Sequence, residues 1–159
     1  MSLKDNWNSR MLEIVESQIS GKYSKEESRL FEFRGLLVQS GVSVLFPAGG
    51  AVIEDDQEFA ITHESELDQS FHKTELDFLH TVRNSPFHIV YNVFKENEGY
   101  VGESASIEIA YALTHNKPIV FVRDPVFAKS VPPEIKDLIF AHIDRVYVQD
   151  LDVQTPSDI

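Results

Sequence analysis

The stretch that most constrains this chain runs from Gly99 to Pro118, GYVGESASIEIAYALTHNKP, and leads straight into the apolar run Ile119 to Val122. Its pattern predicts a glycine-bearing loop, a helix beginning near Ser104, a break at Asn116 and a buried strand. One residue departs from the apolar pattern. Glu108 stands among Ile107, Ile109, Ala110 and Ala112, in a helix whose other positions are built for burial. An unpaired buried charge costs several kcal/mol, so this carboxylate must be hydrogen-bonded, paired or functional. The first turn of a helix offers free N–H groups and the positive end of the dipole, which favour the ionised form. An ionised, partly desolvated Glu is a competent nucleophile.

The rest of the chain repeats the alternation of strand and helix. Residues 1–10 are polar apart from Leu3 and Trp7 and read as a mobile arm. Met11 to Ile19 is a first strand, and Ser20-Gly21-Lys22-Tyr23 a turn. Ser24 with Glu27 forms a capping box, opening a helix that carries Leu30, Phe31, Phe33, Leu36, Leu37 and Val38 and stops at Gly41. Val42 to Phe46 is a second strand ended by Pro47. The acidic segment from Ala48 to Glu66 reads as a long loop or lid, and Asp68 to Val82 as a second helix. Phe87 to Val93 is a third strand. Pro132-Pro133 opens a short helix through about His142, Arg145 to Val148 is the last strand, and a flexible tail follows from Asp150.

This order predicts an α/β fold: a three-layer, five-stranded, mostly parallel sheet with helices on both faces, flavodoxin-like or Rossmann-like. Sites in such sheets lie at the carboxyl ends of the strands. The turn after the first strand, the loop after the second and the Gly99 loop after the third then converge. Gly21, Tyr23, the 48–66 loop and Glu108 meet there.

A length of 159 residues with 42% hydrophobic content fits one domain spanning 1–159. A net charge of -12 argues against nucleic acid or an anionic membrane as partner, since both need clustered Lys and Arg. Small ligands are the expected partners. The chain has no cysteine, which excludes disulfides and thiolate metal sites and fits a cytoplasmic location. No signal-peptide pattern opens it, and no apolar run reaches the roughly 20 residues that span a bilayer. Six histidines show no H-x-x-x-H or H-E-x-x-H spacing, so no metal is expected.

The pattern G-Y-V-G-x-S-x-x-x-E-I-x-Y-A, followed by N-K-P and an apolar strand, resembles the nucleoside 2-deoxyribosyltransferase-like superfamily, which includes the deoxynucleoside 5'-monophosphate N-glycosidases. The resemblance implies that Glu108 is the catalytic nucleophile. It also implies a second carboxylate from the helix before the third strand, where His72-Lys73-Thr74-Glu75-Leu76-Asp77 offers two placements, Glu75 and Asp77, with Asp77 keeping the residue type. Gly21 and Tyr23 fall where the family binds sugar or phosphate, and Lys22 is the basic residue of that turn. Gly102 stands where the transferases proper carry an Asp that contacts the base. Ser104 and Ser106, with the amides of Gly102 and Glu103, offer donors to a phosphate or a sugar hydroxyl.

The expected function is cleavage or exchange of the N-glycosidic bond of a (deoxy)nucleoside or its 5'-monophosphate, without cofactor or metal, by a homo-oligomer. The alternative is a non-catalytic nucleotide-binding or sensing domain of the same fold. A third is an interaction module that uses the acidic 54–66 loop.

Overall fold

The computed structural model describes residues 16–25, 29–55, 60–67, 69–125 and 128–148. Trp7, the start of the first strand, the capping-box Glu27 and the tail lie outside the described residues. The elements in chain order are β1 (Glu16–Ser17), β2 (Ile19–Ser20), α1 (Arg29–Gln39), β3 (Ser43–Val44), β4 (Glu54–Asp55) and β5 (Ala60–Ile61). They continue with α2 (Phe71–Asn84), β6 (His88–Val90), β7 (Val93–Phe94), β8 (Asn97–Glu98), α3 (Glu103–Thr114), β9 (Ile119–Phe121), α4 (Pro133–Ala141) and β10 (Val146–Val148).

The sheet is parallel where these units build it. Four strands lie in the order β10-β9-β6-β2, and β1 pairs in parallel with β3. Side chains alternate across the sheet with a period of two, and the core divides accordingly. Ile19, Ile89, Tyr91, Val120, Val122 and Tyr147 pack with Leu30, Phe31, Phe33 and Leu37 of α1. On the alternate positions, Val90, Ile119, Phe121 and Val146 pack with α2, α3 and α4. The register sets Ile19 beside Ile89 and Ser20 beside Val90, so Ser20 faces the same way as Val90 and hence as His88. Gln18 lies two residues before Ser20 and shares that face.

Several sequence expectations are revised. The 48–66 segment is not a structureless loop: β4 and β5 form an antiparallel pair, and a 3-10 turn spans Glu64–Glu66. The carboxylate of Glu66 accepts from the amides of Thr62 and His63 and from the Thr62 hydroxyl, which satisfies a buried acid locally. The Gly99 loop is a hairpin of β7 and β8 that turns at Lys95, with positive φ at Lys95 and at Gly99. On α1, Leu36 and Val38 remain exposed, so the buried stripe is narrower than the apolar pattern. Among the described residues no helix is long and apolar enough to cross a membrane.

The loop after β3 is held against α1. Phe46–Pro47 is cis, and Arg34 donates from Nε to the Pro47 carbonyl (2.8 Å) and from its guanidinium to the Ala48 carbonyl (3.1 Å). Gly49 follows, so close to the backbone just after β5 that a Cβ there would sit 1.6 Å from the Thr62 carbonyl oxygen. Gly49→Ala should therefore lower stability by about 1–3 kcal/mol, the usual cost of forced overpacking. Gly35, in the middle of α1, meets nothing within 4 Å, and Gly35→Ala should be neutral or stabilising by up to about 1 kcal/mol. Urea denaturation of the two variants checks the contrast; equal midpoints would contradict it.

Candidate active site

The carboxyl ends of β2 and β3, one face of α2 and the start of α3 surround a pocket of about 460 Å³, within the range of roughly 300–1,000 Å³ usual for small-molecule sites. Gly21, Lys22 and Tyr23 form one wall, and Gly102 to Ala105 another. Phe46, Phe71, Phe78 and Tyr100 supply aromatic surface. Glu66, Glu75, Glu103 and Glu108 bring carboxylates to it.

Glu108 is 5% exposed and is the sixth residue of α3, because that helix starts at Glu103 rather than Ser104. It therefore lies beyond the first turn, and the free helix N–H groups expected to steady its charge are out of reach. A side chain supplies the hydrogen bond instead: Ser20 Oγ donates to Glu108 Oε1 at 2.6 Å. On the other side is Glu75 of α2, whose carboxyl group lies within hydrogen-bond reach of Glu108. Burial raises the proton affinity of both groups; for Glu108 the Glu75 charge and the hydrogen bond to Glu75 add to this and the Ser20 hydroxyl partly offsets it, whereas for Glu75 the hydrogen bond to Glu108 works against burial. Two carboxyl groups at such range cannot both ionise cheaply, so the pair holds one proton near neutrality. Glu75 Oε1 is buried and has no hydrogen-bond partner.

Behind Ser20 the polar contacts continue into the sheet. Ser20 Oγ lies 2.7 Å from His88 Nε2, and His88 Nδ1 lies 3.0 Å from Gln18 Nε2. Gln18 Nε2 also donates to the Phe87 carbonyl at 3.1 Å, and Ser85 Oγ donates to Gln18 Oε1 at 2.7 Å. His88 is fully buried, with the Phe78 ring edge-on at 5.9 Å, and burial lowers its pKa to about 3.

The remaining predicted residues divide. Tyr23 donates its hydroxyl to the Ile19 carbonyl and packs on Phe31. Its phenol is pushed well above its ordinary range by burial and then by Glu108, Glu66 and Glu75, so it stays protonated. Gly21 is required by close approach: a Cβ would come within 2.8 Å of the Tyr91 carbonyl. Lys22 is exposed at the rim. Ser104 lines the pocket but caps nothing, since the N-cap is Gly102 and makes no side-chain cap. Ser106 does not line it; its hydroxyl donates to the Gly102 carbonyl at 2.8 Å. Asp77 also lies outside the lining, 44% exposed and 3.2 Å from Lys73 on the same helix. Of the two placements for a second carboxylate, Glu75 is the one beside Glu108.

Sequence reasoning missed Ser20, His88, Gln18 and Ser85. The available signal was period-two alternation, which puts two polar residues, Gln18 and Ser20, on one buried face of the first strand. Among the described residues no three His, Asp or Glu gather in a way that would hold a metal ion. Comparison with protein-family models, curated proteins and solved structures found no match to this chain.

The buried imidazole sets a pH dependence of stability. His88 binds no proton in the folded state until about pH 3, whereas in the unfolded chain it protonates near 6.5. Between those values the unfolded state binds more protons, so this residue's contribution falls with falling pH by up to ~1.4 kcal/mol per pH unit. The raised carboxyl pair acts in the opposite sense. The prediction is therefore a difference: His88→Asn should flatten the loss of stability between pH 6 and pH 4, relative to the unmodified protein. Urea denaturation at several pH values measures it, and parallel curves for the two proteins would refute it.

Proposed function

We propose that this chain is a nucleoside 2-deoxyribosyltransferase-like enzyme that cleaves or exchanges the N-glycosidic bond of a (deoxy)nucleoside or its 5'-monophosphate. The observation that carries this reading is the Glu75–Glu108 pair in an aromatic-walled pocket, with one acid fixed by Ser20 and the other holding a free oxygen. The reading includes a fold in which Glu16 to Ser20 acts as one strand, joining β3 to β6 in a five-stranded, three-layer, flavodoxin-like sheet. It also includes a cytoplasmic homo-oligomer, which would cover Leu67, Leu76 and Ile107, exposed near the pocket.

The chemistry follows from the proton inventory of the pair. A retaining glycosidase keeps its carboxyl groups roughly 5 Å apart, and a sugar entering between Glu75 and Glu108 would set such a separation. For attack the single proton must pass to Glu75, leaving Glu108 ionised. Glu108 attacks the anomeric carbon as the bond from that carbon to the base nitrogen breaks, and Glu75 protonates the departing base. Water, or a second base, next attacks the anomeric carbon and gives its proton to Glu75. Glu108 leaves as a carboxylate, and the pair returns to one proton. The aromatic rings offer stacking to the base. With four carboxylates and one lysine in the lining, the pocket favours an uncharged nucleoside over its phosphate.

Incubation with a panel of deoxynucleosides and their monophosphates, with free base resolved by chromatography, tests the proposal. Glu108→Gln should reduce base release at least 1,000-fold, on the order of losses at nucleophiles. Its melting temperature should equal or exceed that of the unmodified protein, because an amide satisfies both Ser20 and Glu75 without a shared proton. Glu75→Gln should be similarly impaired, and Asp77→Asn unaffected. Nucleotide binding without any release of base by the unmodified protein would indicate a sensing domain instead.

A further inference from the structure

We infer that Ser85, Gln18, His88 and Ser20 form a one-way hydrogen-bond relay that commits the Ser20 proton to Glu108, making them positioning residues that hold Glu108 Oε1 as an acceptor and keep the shared proton of the acid pair off that oxygen. The inference rests on the reading of Glu75 and Glu108 as the working pair. The direction of the relay follows from counting protons at each link.

The fixed point is the Phe87 carbonyl, which can only accept. It receives Gln18 Nε2–H at 3.1 Å, so the Gln18 amide nitrogen is turned toward the sheet and its oxygen toward Ser85, whose hydroxyl donates at 2.7 Å. The second proton of the same NH2 group faces His88 Nδ1 at 3.0 Å, so Nδ1 must be the bare, accepting nitrogen. A neutral imidazole with a bare Nδ1 carries its proton on Nε2, and Nε2 points at Ser20 Oγ at 2.7 Å. Ser20 therefore accepts from His88, and its one hydroxyl proton is free to go to Glu108 Oε1 at 2.6 Å. The opposite end gives the same answer independently: a hydroxyl that already donates to Glu108 has no second proton for His88.

Reversing the chain would need Glu108 to carry a proton on Oε1, Ser20 to donate to Nε2 and Nδ1–H to face an amide N–H. The last contact sets donor against donor, and the Phe87 carbonyl prevents the amide from turning over. Glu108 Oε1 is thus an obligate acceptor. The proton of the pair is left with Glu108 Oε2 and Glu75 to occupy, and when Glu108 ionises its Oε1 stays held by Ser20.

The test uses the full chain without substrate, so its outcome is separate from that of the glycosidic proposal. In 15N-histidine NMR, one of the six imidazoles, assigned by its loss in His88→Gln, should remain neutral with the proton on Nε2 from pH 5 to pH 8. A proton on Nδ1, or a doubly protonated ring in that range, overturns the inference. In 13C-glutamate spectra, Ser20→Ala should raise the ionisation midpoint of Glu108 by about one pH unit, the effect of losing one hydrogen bond to a charged group. Ser20→Thr, which keeps the hydroxyl, should restore it. An unchanged midpoint in Ser20→Ala overturns the inference, and if that variant does not fold, the tautomer in the unmodified protein still decides. Where base release is measurable, Ser20→Ala should shift the pH-rate profile together with that midpoint, a change that loss of packing alone would not produce.

Discussion

A buried acid with a half-buried acid beside it cannot cheaply be charged at the same time as its neighbour, and the surrounding residues are arranged around that restriction. Desolvation by Ala105, Ile109 and Phe78 makes each carboxyl group hold protons more tightly, and proximity makes the second ionisation harder still. Burying such a pair is unfavourable unless its lone pairs and proton are placed. Ser20 places one oxygen of Glu108, and Glu75 takes the other side. The strain that remains is the unpartnered Glu75 oxygen, an acceptor with no donor in the protein. Glu66, which lines the same pocket, looks different: it is equally hidden yet receives three hydrogen bonds from Thr62 and His63.

That contrast separates an acid whose hydrogen bonds are supplied within the fold from acids whose hydrogen bonds are not. Glu66 closes a short 3-10 turn and fixes the segment after β5. Glu75 and Glu108 close nothing. Their backbones belong to α2 and α3, which would pack as well with amides or aliphatic residues at those positions, since Phe78, Val82, Ile109 and Leu113 supply the apolar contact.

Much of the frame was legible in the chain. The four helices and the parallel strands follow from apolar periodicity and from the breaks at Gly41, Asn116 and Pro132-Pro133, because backbone conformation there is decided locally. Glu108 was legible as a polar residue where burial demanded an apolar one. What the sequence did not disclose was its partner. Glu75 and Asp77 are two residues apart on one helix, and which of them faces the neighbouring helix depends on the rotation of α2, set by the packing of Phe78 and Val82 rather than by any local signal. The hairpins at 54–61 and 93–98 were also unread, since two-residue strands leave no periodicity to detect. The polar residues behind Ser20 looked unremarkable one at a time: they acquire meaning only when β2 and β6 are laid side by side.

The register between β2 and β6 carries a consequence for how this protein fails. Ile19 and Ser20 face opposite sides of the sheet, so a slip of one residue would bring Ile19 under Glu108 and turn Gln18 and Ser20 into the greasy face occupied by α1. Such a mispaired molecule loses its core and its reactive acid in the same step. Errors of strand pairing would yield unfolded protein for degradation, and not a folded molecule with a misdirected carboxylate.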